Sequence, residues 1–205
     1  MPVGEVVASP LRFRSPTYRA FLEGLENGSL PGRPRRRIVA AGDTLAGWRV
    51  LHPASEDRFS LADDGAMVLR GECRGVRVLL LSDLATAGQE ALLARGAPLE
   101  AEVVVAGIPS RGEPLPAWLV ERIRPRWVIW TDAAVPPPKH AGPELRGRLE
   151  AAGVRSVSIS DVGAVTLEVR GERVELRSAR AGVLDAWRIA TTARPGLSPG
   201  GPDER

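Results

Sequence analysis

The chain has 205 residues, enough for one domain with a sizeable core. Its 43% hydrophobic and 26% charged content excludes a disordered chain, and a net charge of +3 is too small to drive nucleic-acid binding by bulk electrostatics. The pI of 9.9 reflects the kind of base present: Lys139 is the only lysine, and the arginines stay protonated to very high pH.

In chain order, residues 3–8 read as a short buried strand. Ser15-Pro16 supplies an N-cap and a proline at the first helical position. Tyr18, Phe21, Leu22 and Leu25 then keep helical spacing as far as Asn27-Gly28. Residues 31–37 read as a basic loop before a strand at 38–40. A turn at 42–45 precedes a strand at 48–51, which His52-Pro53 ends. Strands at 66–69 and 76–81 flank Arg74-Gly75 and read as a hairpin. A helix at 88–95, with Leu92 and Leu93 inward, leads to a strand at 102–106, a helix at 114–123 and a strand at 126–130. A helix at 143–152, closed by Gly153, comes before strands at 154–159, 164–169 and 173–177; residues 183–189 form a helix or a strand. One domain is expected over 1–190, and a disordered tail, rich in glycine and proline, over 191–205. The alternation of strands and helices between two strand-rich ends predicts an α+β architecture, a mixed sheet or two sheets with helices outside. No internal repeat is visible.

The candidate chemistry is sparse. Cys73, the one cysteine, excludes an intrachain disulfide and reads as a half-buried thiol. No apolar run nears the roughly 20 residues that cross a bilayer. Residues 1–5 lack the pattern of a signal peptide, so the chain alone reads as soluble. Asp83 follows a hydrophobic strand, where a rigidly held carboxylate serves metal or phosphate chemistry, although a helix N-cap or a turn aspartate is the commoner use. Asp63-Asp64 before Gly65 could hold a cation, against the more frequent exposed turn. Of the two histidines, His52 at a strand end reads as structural, and His140, in a proline-rich loop before a helix, stands where a ligand or base is reachable. Histidine and cysteine pairs at metal-binding spacing, phosphate-binding glycine loops and nucleophile elbows are missing. Arg33, Arg35, Arg36 and Arg37 are candidates for phosphate contact, and the five tryptophans are core residues rather than stacking platforms.

Several segments in order resemble the β-lactamase-like domain of the ComEC family of DNA-internalisation competence proteins, over residues 2–188. Ser15-Pro16-Thr17-Tyr18 through Gly42-Asp43 is similar to that family's helix and following strand, and Trp48-Arg49-Val50-Leu51-His52-Pro53 to its next strand end. Asp63-Asp64-Gly65-Ala66-Met67-Val68-Leu69-Arg70, Val78-Leu79-Leu80-Leu81-Ser82-Asp83 with the helix start Gln89-Glu90-Ala91-Leu92-Leu93, and Pro125-Arg126-Trp127-Val128-Ile129 continue the series. His140-Ala141-Gly142-Pro143-Glu144-Leu145 and Gly163-Ala164-Val165-Thr166 close it.

The resemblance implies a metallo-β-lactamase-like sandwich of αββα type, incomplete on its N-terminal side. The family's first histidine-rich motif would precede Met1, so the resemblance implies a truncated gene product, an excised domain or a gene split from the channel, with truncation the expectation. It also implies metal-ligand positions at Asp83 and His140, kept by type only, because Ile108-Pro109-Ser110-Arg111 replaces the family's paired histidines. A zinc site needs about three protein ligands, so no cofactor is expected unless an upstream segment completes the site for zinc or manganese. The implied function is a degenerate domain in DNA uptake during natural transformation, leaning away from an enzyme. Its implied partners are the competence membrane channel and single-stranded DNA, with no small-molecule cofactor, and its implied place is the outer face of the cell membrane. The alternatives are a metal-dependent phosphodiesterase or nuclease completed upstream, and an interaction module with no role in DNA handling. Loss of half a sandwich would leave apolar sheet exposed.

Overall fold

The computed structural model describes residues 3–133, 135 and 139–189, so the tail expected at 191–205 lies outside the described residues. Strand β1 (Glu5–Ala8) leads through helix α1 (Pro16–Glu26) to β2 (Arg35–Ile38), which pairs with β1 in parallel. Ser15 caps α1 by accepting the Tyr18 N–H at 3.3 Å, and Asn27 ends it. Here the expectation of a basic loop is corrected. Arg35, Arg36 and Arg37 lie within β2, because parallel pairing with β1 extends the chain there, while Arg33 precedes the strand. The expected buried strand at 3–8 is half-buried, since it meets only this one neighbour.

Seven strands form the main sheet: β3 (Thr44–Leu45), β4 (Trp48–His52), β5 (Val68–Cys73), β6 (Val76–Ser82), β7 (Val103–Ala106), β8 (Trp127–Trp130) and β9 (Arg155–Ser158). They stand in sequential order, β3 to β6 antiparallel and β6 to β9 parallel. The turn joining β5 to β6 is Arg74-Gly75, both at positive φ (48° and 90°), the geometry that suits a two-residue hairpin. Cys73 ends β5 beside this turn and is exposed rather than half-buried.

Helices α2 (Thr86–Ala94), α3 (Ala117–Ile123) and α4 (Pro143–Ala151) make the crossovers of the parallel half. When parallel strands follow one another in order, crossovers of one hand put all their helices on the same face. Leu92, Leu119, Ile123 and Leu149 accordingly share one core with Leu79, Leu81, Val104, Val128 and Trp130.

The alternate side chains, Val76, Val78, Val103, Trp127 and Ile129, point to the opposite face. There they meet Val169, Val174 and Leu176 of an antiparallel meander: β10 (Val165–Arg170), β11 (Arg173–Ser178) and β12 (Gly182–Arg188). Residues 182–188 are thus strand, and a short helix α5 (Ile159–Val162), unexpected from sequence, follows β9. Covering on both faces explains why residues 78–81 of β6 and the whole of β7 and β8 read as unbroken apolar runs. The large exposed apolar side chains described (Val3, Phe21, Ile38, Val135 and Val183) are scattered, so the expected bare sheet is not found among the described residues. The architecture is α+β.

All five tryptophans pack into the two cores. Arg126 and Arg155 lie over the rings of Trp187 and Trp127 at 4.9 and 5.7 Å.

Candidate functional site

Ligand sites of parallel sheets collect at the carboxyl ends of the strands, where several backbones deliver side chains to one rim. Here that rim receives Asp83 after β6, Ile108 after β7, Asp132 after β8 and Ser158 at the end of β9. Ser82 sits at φ 55°, a left-handed conformation that strains a residue with a side chain. The β6–β7 register shifts at the same place. Asp83 is thus turned out of the strand line and left about 40% exposed.

Asp83 does not cap α2; it lies in the turn after β6, the other common place for a strand-end aspartate. Its Oδ1 accepts from the Ser82 hydroxyl at 3.1 Å, and its Oδ2 faces the Lys139 ammonium at 3.9 Å. Lys139 donates to the Ile108 carbonyl at 2.6 Å, so the chain's single lysine bridges the loops after β6 and β7.

The capping is done by Asp64. The N-cap position of α2 is Ala85, whose methyl accepts nothing, and Asp64 Oδ1 takes the Ala87 and Gly88 N–H groups at 3.0 and 3.3 Å. Asp63 accepts both the N–H and the hydroxyl of Ser110, at 2.6 and 2.5 Å. The adjacent carboxylates therefore form a structural turn, with Asp64 buried rather than exposed, and each aspartate ties down a different segment.

His52 is buried and holds the same turn. Its Nε2–H donates to the Asp64 carbonyl at 2.8 Å, and its Nδ1 accepts from Arg95 at 2.9 Å. Both contacts suit a neutral ring. Burial is the main cause that lowers its pKa, aided by Arg95, while the Asp64 hydrogen bond and the Asp57 carboxylate pull the other way.

His140 makes a different pair. Its Nδ1 lies 2.8 Å from Asp132, whose side chain is fully buried, and its Nε2 faces Arg146 at 3.4 Å. Burial works to raise the Asp132 carboxyl, but hydrogen bonds from Ser158, the Ala141 N–H and Ser160 outweigh it and hold the group below its usual range. Arg146 is itself fixed by Asp161 at 2.8 Å and the Ala141 carbonyl at 2.7 Å.

The two positions singled out as metal ligands therefore go separate ways: Asp83 pairs with Lys139, His140 with Asp132, and no hydrogen bond or ion pair joins Asp83 to His140. The donor set does not fit a zinc or manganese ion. Among the described residues no three His, Cys, Asp or Glu side chains converge, and each of the two ligand-type groups already faces a protein cation. Lys139, Asp132 and Arg146 were not singled out from sequence. The one available signal was Lys139 itself, a lone lysine in a chain that otherwise uses arginine.

The arginine group on β2 divides. Arg36 pairs with Glu26 at 2.8 Å and Arg37 donates to the Thr44 carbonyl at 3.2 Å, whereas the exposed side chains of Arg33 and Arg35 have no hydrogen-bond or ion-pair partner among the described residues. No helix among the described residues is long and apolar enough to cross a membrane. No family model, curated protein or solved structure matches the chain.

Proposed function

We propose that the chain is the later part of a β-lactamase-like domain of the ComEC type, catalytically degenerate, and that it serves DNA uptake as a binding or scaffolding part beside a membrane channel. The α+β arrangement supports this reading: a mixed sheet with helices on one face, a second sheet on the other, and polar groups gathered at the carboxyl rim. One observation carries the degenerate part. The carboxylate and the imidazole that stand at ligand positions each face a built-in cation, Asp83 at Lys139 and His140 at Arg146. A divalent ion brought there would have to displace an ammonium and sit against a guanidinium, both repelling it. An upstream segment could add ligands without removing either cation, which counts against the phosphodiesterase alternative.

The test is metal content and nuclease activity together. After incubation with excess zinc or manganese and desalting, mass spectrometry is expected to find well under one ion per chain, and single-stranded and duplex DNA are expected to stay intact. Stoichiometric metal that Asp83→Ala removes, or DNA cleavage that the same change abolishes, would sink the degenerate reading. Disrupting the gene is expected to lower uptake of labelled DNA in a transformable host; unchanged uptake would leave the scaffold role without support.

A further inference from the structure

We propose that the cleft between α1, residues 10–14 and the loop 55–59 is a binding site for single-stranded DNA. Two neighbouring concavities of about 430 and 320 Å³ share Arg12 and Phe13 in their linings. Arg14 and Arg19 line the first and Arg58 the second. The Arg12, Arg14 and Arg19 guanidinium groups are exposed and have no hydrogen-bond or ion-pair partner among the described residues. Arg58 is oriented by the Ser55 and Asp57 carbonyls at 3.1 and 2.6 Å.

The cleft also gathers the one tyrosine and two of the three phenylalanines. Phe13 and Tyr18 meet edge to face, with centroids 5.4 Å apart and planes at 60°, and the Tyr18 hydroxyl is anchored on the Leu11 carbonyl at 3.2 Å. On the other wall Phe59 leans on the buried His52 ring at 5.4 Å. Their footing is firm. Leu11 is buried so closely on Gly65 that a Cβ there would come within 2.4 Å of it, and burial alternates along the segment, so Arg12 and Arg14 face out on either side of Phe13. Glu23 and Glu26 stand at one end, but Glu26 is already held by Arg36.

Unpaired guanidinium groups suit the phosphates of a polyanion, and half-buried, fixed rings offer surfaces on which bases stack without regard to sequence. A duplex hides its base faces. An acidic peptide would engage the arginines and leave the rings idle. The inference deepens the function proposed above, resting on it only for the choice of DNA over RNA.

Fluorescence anisotropy of a labelled oligothymidylate, with the full chain over a salt series, tests it. Binding is expected to weaken with salt. The triple change Arg12→Ala, Arg14→Ala and Arg19→Ala should weaken it about tenfold or more and flatten the log–log salt slope by about 2, since each phosphate contact in a single strand contributes about 0.7. Arg33→Ala with Arg35→Ala should weaken it less than the triple change, because these two exposed arginines lie outside the cleft lining. Phe13→Ala should weaken binding at an unaltered slope while Phe13→Tyr retains it. The proposal is overturned if the wild-type chain does not bind, if only the Arg33 and Arg35 pair matters, or if polyglutamate, duplex DNA or oligouridylate binds more tightly. Metal retention decides the degenerate-rim reading separately: weak oligonucleotide binding without metal sinks this site alone, and tight binding with stoichiometric metal sinks the other.

Discussion

At His52 a proton would have to enter a fully buried ring whose Nδ1 already accepts from the Arg95 guanidinium. The sign of the consequence follows from the lowered pKa. Between the folded value and the unfolded value near 6.5 the unfolded chain binds more protons, so stability is full above about pH 6.5 and falls as the pH drops below it. Melting curves from pH 7.5 down to pH 5 are expected to show this decline, and His52→Gln should flatten it. A second expectation concerns Gly88. A Cβ at this position would lie 2.3 Å from the Asp64 carbonyl oxygen and 2.6 Å from Leu84 Cδ1. Backbone on one side and buried leucine on the other leave no room to shift, so Gly88→Ala should cost about 3 kcal/mol in denaturant unfolding, the upper end for an overpacked core. Neither role was legible locally. Asp63-Asp64-Gly65 has ordinary turn chemistry, and only the three-dimensional approach to α2 turns it into a cap. The indirect clue is the helix start Ala85-Thr86-Ala87-Gly88, whose N-cap residue has no side-chain acceptor.

Among the elements, apolar runs and their punctuation gave most boundaries to within a few residues, because β6, β7 and β8 are buried on both faces and α1 carries its own cap and stop. Arg35–Ile38 resisted such reading. Three arginines in succession look like a solvated loop, and only the partner strand β1, across the α1 crossover, makes them a strand. The identity of β12 was likewise undecidable until its contacts were known. Asp185 within it accepts from Arg126 Nε and Trp127 Nε1, both at 2.9 Å, and pairs with Arg155 at 2.9 Å, fastening the meander to β8 and β9. Burial pushes the Asp185 carboxyl up, but these three partners prevail and bring it to about 2. A depressed carboxyl stabilises the fold above its unfolded value near 4, and that contribution disappears as the pH falls to about 2. Asp185→Asn is expected to cost about 2 kcal/mol at pH 7 and to remove much of the acid sensitivity below pH 4, read by tryptophan fluorescence.

For the whole molecule, both faces of the parallel half are covered, and the exposed apolar side chains are single rather than massed. The outer strands of the meander, β10 and β12, carry Glu168, Arg170 and Arg188, charges that discourage edge-to-edge pairing. Light scattering behind size exclusion is therefore expected to give a monomer near 21.9 kDa; a stable dimer at micromolar concentration would mean that an edge or face has been misjudged. The sheet order and the carboxyl rim follow from alternating elements that any reader of the sequence can mark, whereas the pairing of Asp83 with Lys139 depends on two loops separated by more than fifty residues.

Because the chain has one lysine, it also has one side-chain amine, and that amine sits at the rim. Apart from the α-amino group, a reagent selective for amines therefore has a single target. The rate of its modification in the folded chain, compared with urea, reports how firmly the ammonium stays docked between Asp83 and the Ile108 carbonyl. The molecule thus carries a chemical reporter at its most informative position, readable by intact mass without any engineered label.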